Sequence, residues 1–295
     1  MKSDSAFASG LWGGGTGSPS GGTSKRAAIA AALVLAVFVM AAILAPVLAP
    51  YDPAHQPDII ELRNQPPSAA HPFGTDPFSR DVLSRVMHGG RISLGVALLA
   101  TLVSVTLGTA YGAASGYAGG ITGSVLLRVL DALLSIPRVL LLIAVLAAWR
   151  DLPLIVFTLV LGMTGWYGLA RLVRGQVLAL KGQDFVVSAR ALGATRARIV
   201  FRHILPNVIT PVIVAAALGV GHVIVLEAGL SYLGIGVRQP VPSWGNMIQD
   251  GSDQIAAHWW ISAFPGLAIV LTVMAFNVLA DALLSTLRPR PAETR

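Results

Sequence analysis

The sequence predicts an all-α membrane protein of six transmembrane helices, and three observations carry that expectation. Of 295 residues, 54% are apolar and only 12% charged, against about 25% charged in ordinary soluble domains, and the mean hydropathy is +0.70. Apolar stretches long enough to cross a hydrocarbon core of about 30 Å, which takes roughly 20 helical residues, recur along the chain. The one long polar segment between them is strongly basic, as a cytoplasmic loop should be. The formal charge of +7 and pI near 10.4 do not argue for a nucleic-acid partner, because the basic residues lie between apolar runs. There is no cysteine, which excludes disulfides, thiolate metal sites and thiol nucleophiles.

Residues 1–26 form the first unit, a flexible cytoplasmic tail whose Gly/Ser-rich part, "LWGGGTGSPSGGT", can bury almost nothing. Residues 27–91 hold the first span, 27–50, and an outer loop. A cleaved signal peptide is the rival reading of 27–50, but the stretch is longer than a signal's apolar region and starts late. Residues 92–287 are the transmembrane core, with spans at 92–117, 125–148, 152–170, 208–236 and 259–287 and a polar loop at 171–207. Residues 288–295 are a second cytoplasmic tail. Gly108, Gly112 and Gly116 stack on one face of the second span and allow another helix to approach closely, most simply within the subunit. Pro137 and Pro153 interrupt the third and fourth spans.

The polar loop carries Arg171, Arg174, Lys181, Arg190, Arg196, Arg198 and Arg202 against Asp184 alone, which places it in the cytoplasm. Alternating outward from there puts both termini inside. The first outer loop dissents with Arg63, Arg80, Arg85 and Arg91.

Within the loop, Asp184 is placed to N-cap a short helix over 185–192, and Gly193 suits the left-handed position that closes it. Thr195 can cap a second helix, in which Ala197, Val200, Phe201 and Ile204 form one apolar face opposite Arg198 and Arg202. Pro206 falls in the first turn of the next span, where its missing N–H costs nothing. Two short helices bent at a glycine, with a basic surface, suit either a protein partner or an interfacial hairpin on anionic lipid.

The stretch "SARALGATRARIVFRHILP" resembles the cytoplasmic "EAA" loop of binding-protein-dependent ABC importer permeases. Ala189, Gly193, Leu205 and Pro206 fall on that pattern in register, whereas Val187, Ser188 and His203 depart from it. Three further segments are similar to the dipeptide, oligopeptide and nickel branch: "HPFGTDPFSRDVLSRVMHGGRISLGV", with Ser79 where that branch usually has Gly, "LEAGLSYLGIGVRQPVPSWGNMI" and "FPGLAIVLTVMAFNVLADAL". The resemblance implies the type I ABC importer permease fold in a bacterial cytoplasmic membrane. It implies a solute path shared with a second, homologous permease, an extracytoplasmic solute-binding protein, and cytoplasmic ABC ATPase subunits that use ATP and Mg²⁺. Peptides are the implied solute and nickel chelates the alternative. The coupling surface toward the ATPase would be Phe185, Ser188, Ala189, Arg190, Leu192, Gly193 and Pro206.

This chain should be no enzyme and bind no cofactor itself. None of its three lysines, Lys2, Lys25 and Lys181, sits in a phosphate-binding loop G-x-x-x-x-G-K-[ST]. No catalytic constellation and no metal-ligating histidine pair recommends itself. Ionisable groups inside spans are costly, so Asp131, Arg138, His222, Glu227 and Asp281 are candidates by default. Asp131 and Asp281 could pair with Arg128 and Arg288. His222 and Glu227 are candidates for the solute path or gate, Glu227 equally for an interhelical hydrogen bond. In the last outer loop, Pro242 and Trp244 suggest a stiff segment, either anchored at the membrane surface by the indole or contacting the binding protein. The competing class is an ion-gradient-driven carrier using Asp131, Glu227 and Asp281.

Overall fold

A computed structural model describes residues 21–149 and 152–287. Most of the N-terminal tail, the whole 288–295 tail, and with them Lys2, Arg150 and Arg288, lie outside the described residues. Among the described residues every regular element is helical. These are α1 (Gly21–Ile43), α2 (Ala45–Leu48), α3 (Val82–Ala118), α4 (Gly120–Leu134), α5 (Arg138–Ala147), α6 (Leu154–Gly165), α7 (Tyr167–Lys181), α8 (Asp184–Ala191), α9 (Arg196–Arg198), a π-helical segment (Ile199–Ile204), α10 (Leu205–Tyr232), α11 (Trp244–Ser252) and α12 (Trp260–Leu287). Five stretches are long and apolar enough to cross a membrane, or six if α4 and α5, bent by 72° to each other, form one span.

The packing of α3 decides between five and six. A Cβ at Gly108 would lie 3.0 Å from Leu169 Cβ, one at Gly112 2.7 Å from Val173 Cβ, and one at Gly116 2.9 Å from Val177 Cβ. Partners advance by four along both helices in the same direction, so α3 and α7 run parallel. Gly162 of α6 meets Val103 of α3 in the same way, at 2.7 Å. Parallel neighbours need a return crossing between them, and α4 with α5 supplies it. The bend falls at Ser135–Pro137, where proline removes a helix donor and clashes with the preceding turn. The glycine face is therefore spent on packing inside this subunit.

The helices exceed their expected bounds wherever polar residues find partners. α3 begins at Val82 rather than 92, capped by Asp81, whose side chain accepts from Ser84 N–H at 2.8 Å. The fourth span continues to Lys181. Arg174 Nη1 donates to the carbonyls of Ser115 (2.6 Å) and Gly123 (3.1 Å), and Lys181 Nζ donates to the carbonyl of Tyr117 (2.6 Å). These cations close the last turn of α3, whose carbonyls have no intrahelical partner, and so are withdrawn from the basic surface expected of the loop.

One end of the bundle, the cap end, is built from residues 51–81, the start of α12, and α11. Phe73 stacks on Phe264 at 3.9 Å and Trp260 Nε1 donates to Thr75 O at 3.2 Å. Ser79 stands in the left-handed region at φ 62°, with its hydroxyl donating to Asp58 O at 2.7 Å; this is the position where the resembled branch has glycine. At the opposite, hairpin end, Val173, Val177, Val186, Ile199, Ile204, Val208 and Val212 form a second core.

If the glycine face sets the α3–α7 distance, Gly112→Val should lower stability by about 1–3 kcal/mol through overpacking, whereas Gly95→Ala, where an added Cβ meets nothing within 4 Å, should stay close to wild type. Thermal unfolding in detergent measures both; equal midpoints for the two variants would show that the face is not close-packed.

Candidate functional site

The hairpin end presents the first candidate surface. α8 starts after Gln183, so Asp184 occupies the first turn rather than the N-cap, and no side chain caps that end. A carboxylate there still faces the positive end of the helix dipole. Gly193 closes the helix at φ 79°, a conformation that strains any residue with a Cβ. Thr195 Oγ1 accepts from Arg198 N–H at 3.3 Å, which caps α9 as expected.

The expected apolar face of the second helix is different. Ile199 and Ile204 are buried, while Ala197 is exposed and Phe201 is 72% exposed. The reason is the π-helical register of Ile199–Ile204: its i→i+5 hydrogen bonds widen the turn, so the 3.6-residue spacing no longer marks one face. α8 is fastened by Val186, which is part of the hairpin core, and Ala189 beside it is buried too, while Phe185, Val187, Ser188, Arg190 and Gly193 are exposed and Leu192 is 88% exposed. Pro206 is exposed in the first turn of α10. The result is an apolar, partly basic knob on a rigid base, with Arg196, Arg198 and Arg202 exposed beside it.

The candidates inside the spans separate into different environments. Glu227 is fully buried in α10; its Oε2 accepts from Ser93 Oγ at 2.9 Å and its Oε1 from Ser231 Oγ at 2.7 Å. Ser93 Oγ in turn accepts from Trp244 N–H (3.2 Å), and Ser231 Oγ from Val237 N–H (2.9 Å). This network joins α3, α10 and α11, which is the interhelical alternative for Glu227. His222, also on α10, is exposed at the rim of a small cavity that Arg138 lines. Asp131 pairs with Arg171, not Arg128, because the parallel course of α7 brings Arg171 alongside α4. Asp281 is exposed on α12.

The expectation for Trp244 needs correction. Its side chain is 1% exposed, packs edge-on against Phe38 of α1, and donates Nε1–H to Val86 O at 3.0 Å. It can be neither a membrane-surface anchor nor a contact for an outside protein, because α1, α3 and α11 close around it. Pro242, the other residue of that expected contact, is buried as well, in the wall of a groove at the cap end that Pro53, His88 and Arg91 also line.

Sequence reasoning missed the strongest electrostatic feature. Arg80 Nε lies 2.6 Å from Asp76 Oδ2, its Nη2 2.8 Å from Asp250 Oδ2, and its Nη1 donates to Gln239 Oε1 at 2.7 Å. Arg85 approaches the same two carboxylates at 3.5 and 3.6 Å and donates to Pro53 O at 3.1 Å. Burial pushes the Asp250 carboxyl up, and Arg80 and Arg85 pull it back down. Two of the four dissenting arginines are therefore neutralised inside the cap. The signal available was the set of carboxylates in the same loop, together with Asp250 far along the chain.

The bundle of parallel and returning spans, with a helical hairpin at one end, is that of a multi-pass helical membrane protein. Residues 93–293 match the family described as binding-protein-dependent transport system inner membrane component, and the chain belongs to it. Residues 23–67 match the N-terminal TM domain of oligopeptide transport permease C. The dipeptide transport system permease protein DppC of Bacillus subtilis is 39% identical over 229 residues, 77% of this chain and 71% of its own. The oligopeptide transport system permease protein OppC of Haemophilus influenzae is 38% identical over 220 residues, 75% of this chain and 70% of its own. A probable D,D-dipeptide transport system permease protein of Escherichia coli is 36% identical over 238 residues, 80% of both chains. The expected fold class, the all-α permease of a type I importer, stands.

Removing one partner from a buried ion cluster leaves the others uncompensated, at a cost of about 3–5 kcal/mol. Arg80→Leu should show that loss in detergent unfolding, with faster proteolysis of the 51–81 segment; an unchanged midpoint would mean that the cluster does not hold the cap.

Proposed function

We propose that this chain is a permease subunit of an ATP-driven importer that passes di- or oligopeptides across the bacterial cytoplasmic membrane. The observation that carries the reading is the α8 knob: Phe185, Val187 and Leu192 are exposed on a short helix whose other side, Val186 and Ala189, is locked to the bundle. Large apolar groups exposed beside arginines, outside the spans, suit a protein groove better than water. The family membership supports an ATPase subunit as the occupant, and the names of the relatives support peptides. No observation favours the nickel-chelate alternative.

In this reading the hairpin end is cytoplasmic, in keeping with exposed Arg190, Arg196, Arg198 and Arg202, and both termini lie on that side. The cap end then faces the solute-binding protein, and a second, homologous permease completes the path. ATP and Mg²⁺ act in the ATPase subunits. Their closure moves α8, and the rigid hold of Val186 and Ala189 on α7 and the π-helical segment passes that displacement to α10. Coupling residues on this account are Phe185, Ser188, Arg190 and Leu192 at the contact, Ala189 and Gly193 for its geometry, and Pro206 at the start of α10.

A gradient-driven carrier would need free carboxylates within the spans. Asp131 has Arg171, and Glu227 has two serine hydroxyls, which weighs against two of the three carboxylates such a carrier would use; the third, Asp281, is exposed on α12.

Leu192→Asp tests the coupling surface without disturbing the core. Burying a leucine contributes about 1.5–3 kcal/mol, so co-purification of the ATPase subunit and peptide uptake should both fall by about tenfold or more. Full retention of both would remove α8 as the coupling element, and uptake indifferent to ATP but abolished by an uncoupler would return the carrier reading.

A further inference from the structure

The mechanism above leaves Arg138 unused. This residue opens α5 just after the proline bend, and its Nη2 donates to Leu161 O at 2.8 Å while its Nε lies 3.4 Å from Thr164 Oγ1. Those contacts hold the guanidinium in place but leave other members of its five N–H donors free, and among the described residues no carboxylate pairs with it. Ser104, beside it, lies about 20 Å of helix from the end of α3 at Ala118, at 1.5 Å per residue, which is well inside a hydrocarbon layer of about 30 Å. A cation without a counter-ion at that depth is costly and marks a functional position.

Its surroundings are built for an anion. Arg138 lines a cavity of about 90 Å³ together with Thr101, Ser104, Gly165 and His222. The Thr101 hydroxyl is buried there with no hydrogen-bond partner among the described residues, a donor left for something that enters. Gly165 keeps the space open, since a Cβ at that position would come within 2.8 Å of Arg138 Nη2 and 2.5 Å of Ser104 Oγ. His222 stands exposed at the rim. The cavity is small, about 90 Å³, and its few polar groups suit one ionised end group of a solute.

We propose that this cavity receives the C-terminal carboxylate of a peptide in passage, with Arg138 as its counter-ion and Thr101 as a further donor. The inference rests on the peptide-import reading and adds a position within the path. A guanidinium matches a carboxylate in a two-point geometry that is strong where water is scarce. Because the cation is in place before the solute arrives, the charge of the peptide terminus enters the membrane already compensated.

The test uses the complete transporter in proteoliposomes, with binding protein and ATPase subunits, and labelled dialanine beside its C-terminal amide. Arg138→Gln should lower the ratio of acid to amide uptake by about tenfold or more. Gly165→Ala, which presses a methyl group on the guanidinium, should move the ratio the same way. Arg138→Lys, which keeps the charge but not both of the present contacts, should import the acid about tenfold faster than Arg138→Gln. That last comparison also decides the matter if the binding protein refuses the amide. Equal loss for acid and amide, or equal acid uptake by the lysine and glutamine variants, would make Arg138 a structural residue and overturn the proposal. A wild-type transporter that imports neither dialanine nor tri- to pentaalanine would instead overturn the peptide reading on which it rests.

Discussion

The close approach of α3 and α7 is the constraint on which the rest of this structure depends. In lipid, helices gain little from hiding apolar surface from one another, so association relies on close packing and on hydrogen bonds between helices. Gly108, Gly112 and Gly116 let the backbone and Cβ atoms of α7 lie where side chains would otherwise stand, and Gly162 does the same between α6 and α3. That contact fixes the two helices as parallel, which in turn makes α4 and α5 a single bent crossing. It places Arg171 against Asp131, and it brings Arg174 and Lys181 over the open carbonyls at the end of α3. It also positions the bend at Pro137, and hence Arg138, against α6.

The two ends of the bundle then solve opposite problems. At the cap end, a 51–81 segment with little regular structure is held by charge and by aromatic packing. Arg80 and Arg85 share Asp76 and Asp250, while Trp244 fills the space between α1, α3 and α11. Its backbone N–H reaches Glu227 through Ser93, so cap and membrane bundle are one hydrogen-bonded unit. At the hairpin end the same chain does the reverse and leaves apolar side chains outside. α8 is short and has a single face to anchor it, and Gly193 turns the chain at once into the next segment. An element so placed moves with whatever grips it.

Much of this was legible in the residues. Period and length mark the apolar spans, the glycine repeat marks a packing face, Gly193 and Thr195 mark the turn and cap of the hairpin, and the excess of arginine marks the loop that carries it. Helix ends were less legible. Arg85 and Arg174 look like loop residues because an unpaired arginine belongs in water, yet each lies within a helix where groups from distant segments pair with it. The face of the second hairpin helix was misread because a π-helical turn, bonded i→i+5, is wider than the 3.6-residue α-turn, and composition does not reveal such a turn. Trp244 reads as an interface anchor because tryptophan commonly is one, and only the position of α1 shows that it is enclosed.

The sequence by itself determined that this is a helical membrane protein, roughly where its spans fall, and that a Gly-hinged, basic hairpin interrupts them, because hydropathy, charge and backbone permissiveness are local properties. Only the tertiary structure decided which charges are neutralised, which way α7 runs beside α3, that Glu227 and Trp244 belong to one buried network, and that Arg138 faces a cavity with no carboxylate beside it among the described residues. Those outcomes depend on pairs of residues tens to more than a hundred positions apart, and the free energy of a charge or hydroxyl in lipid is set by its partner rather than by its neighbours in the chain.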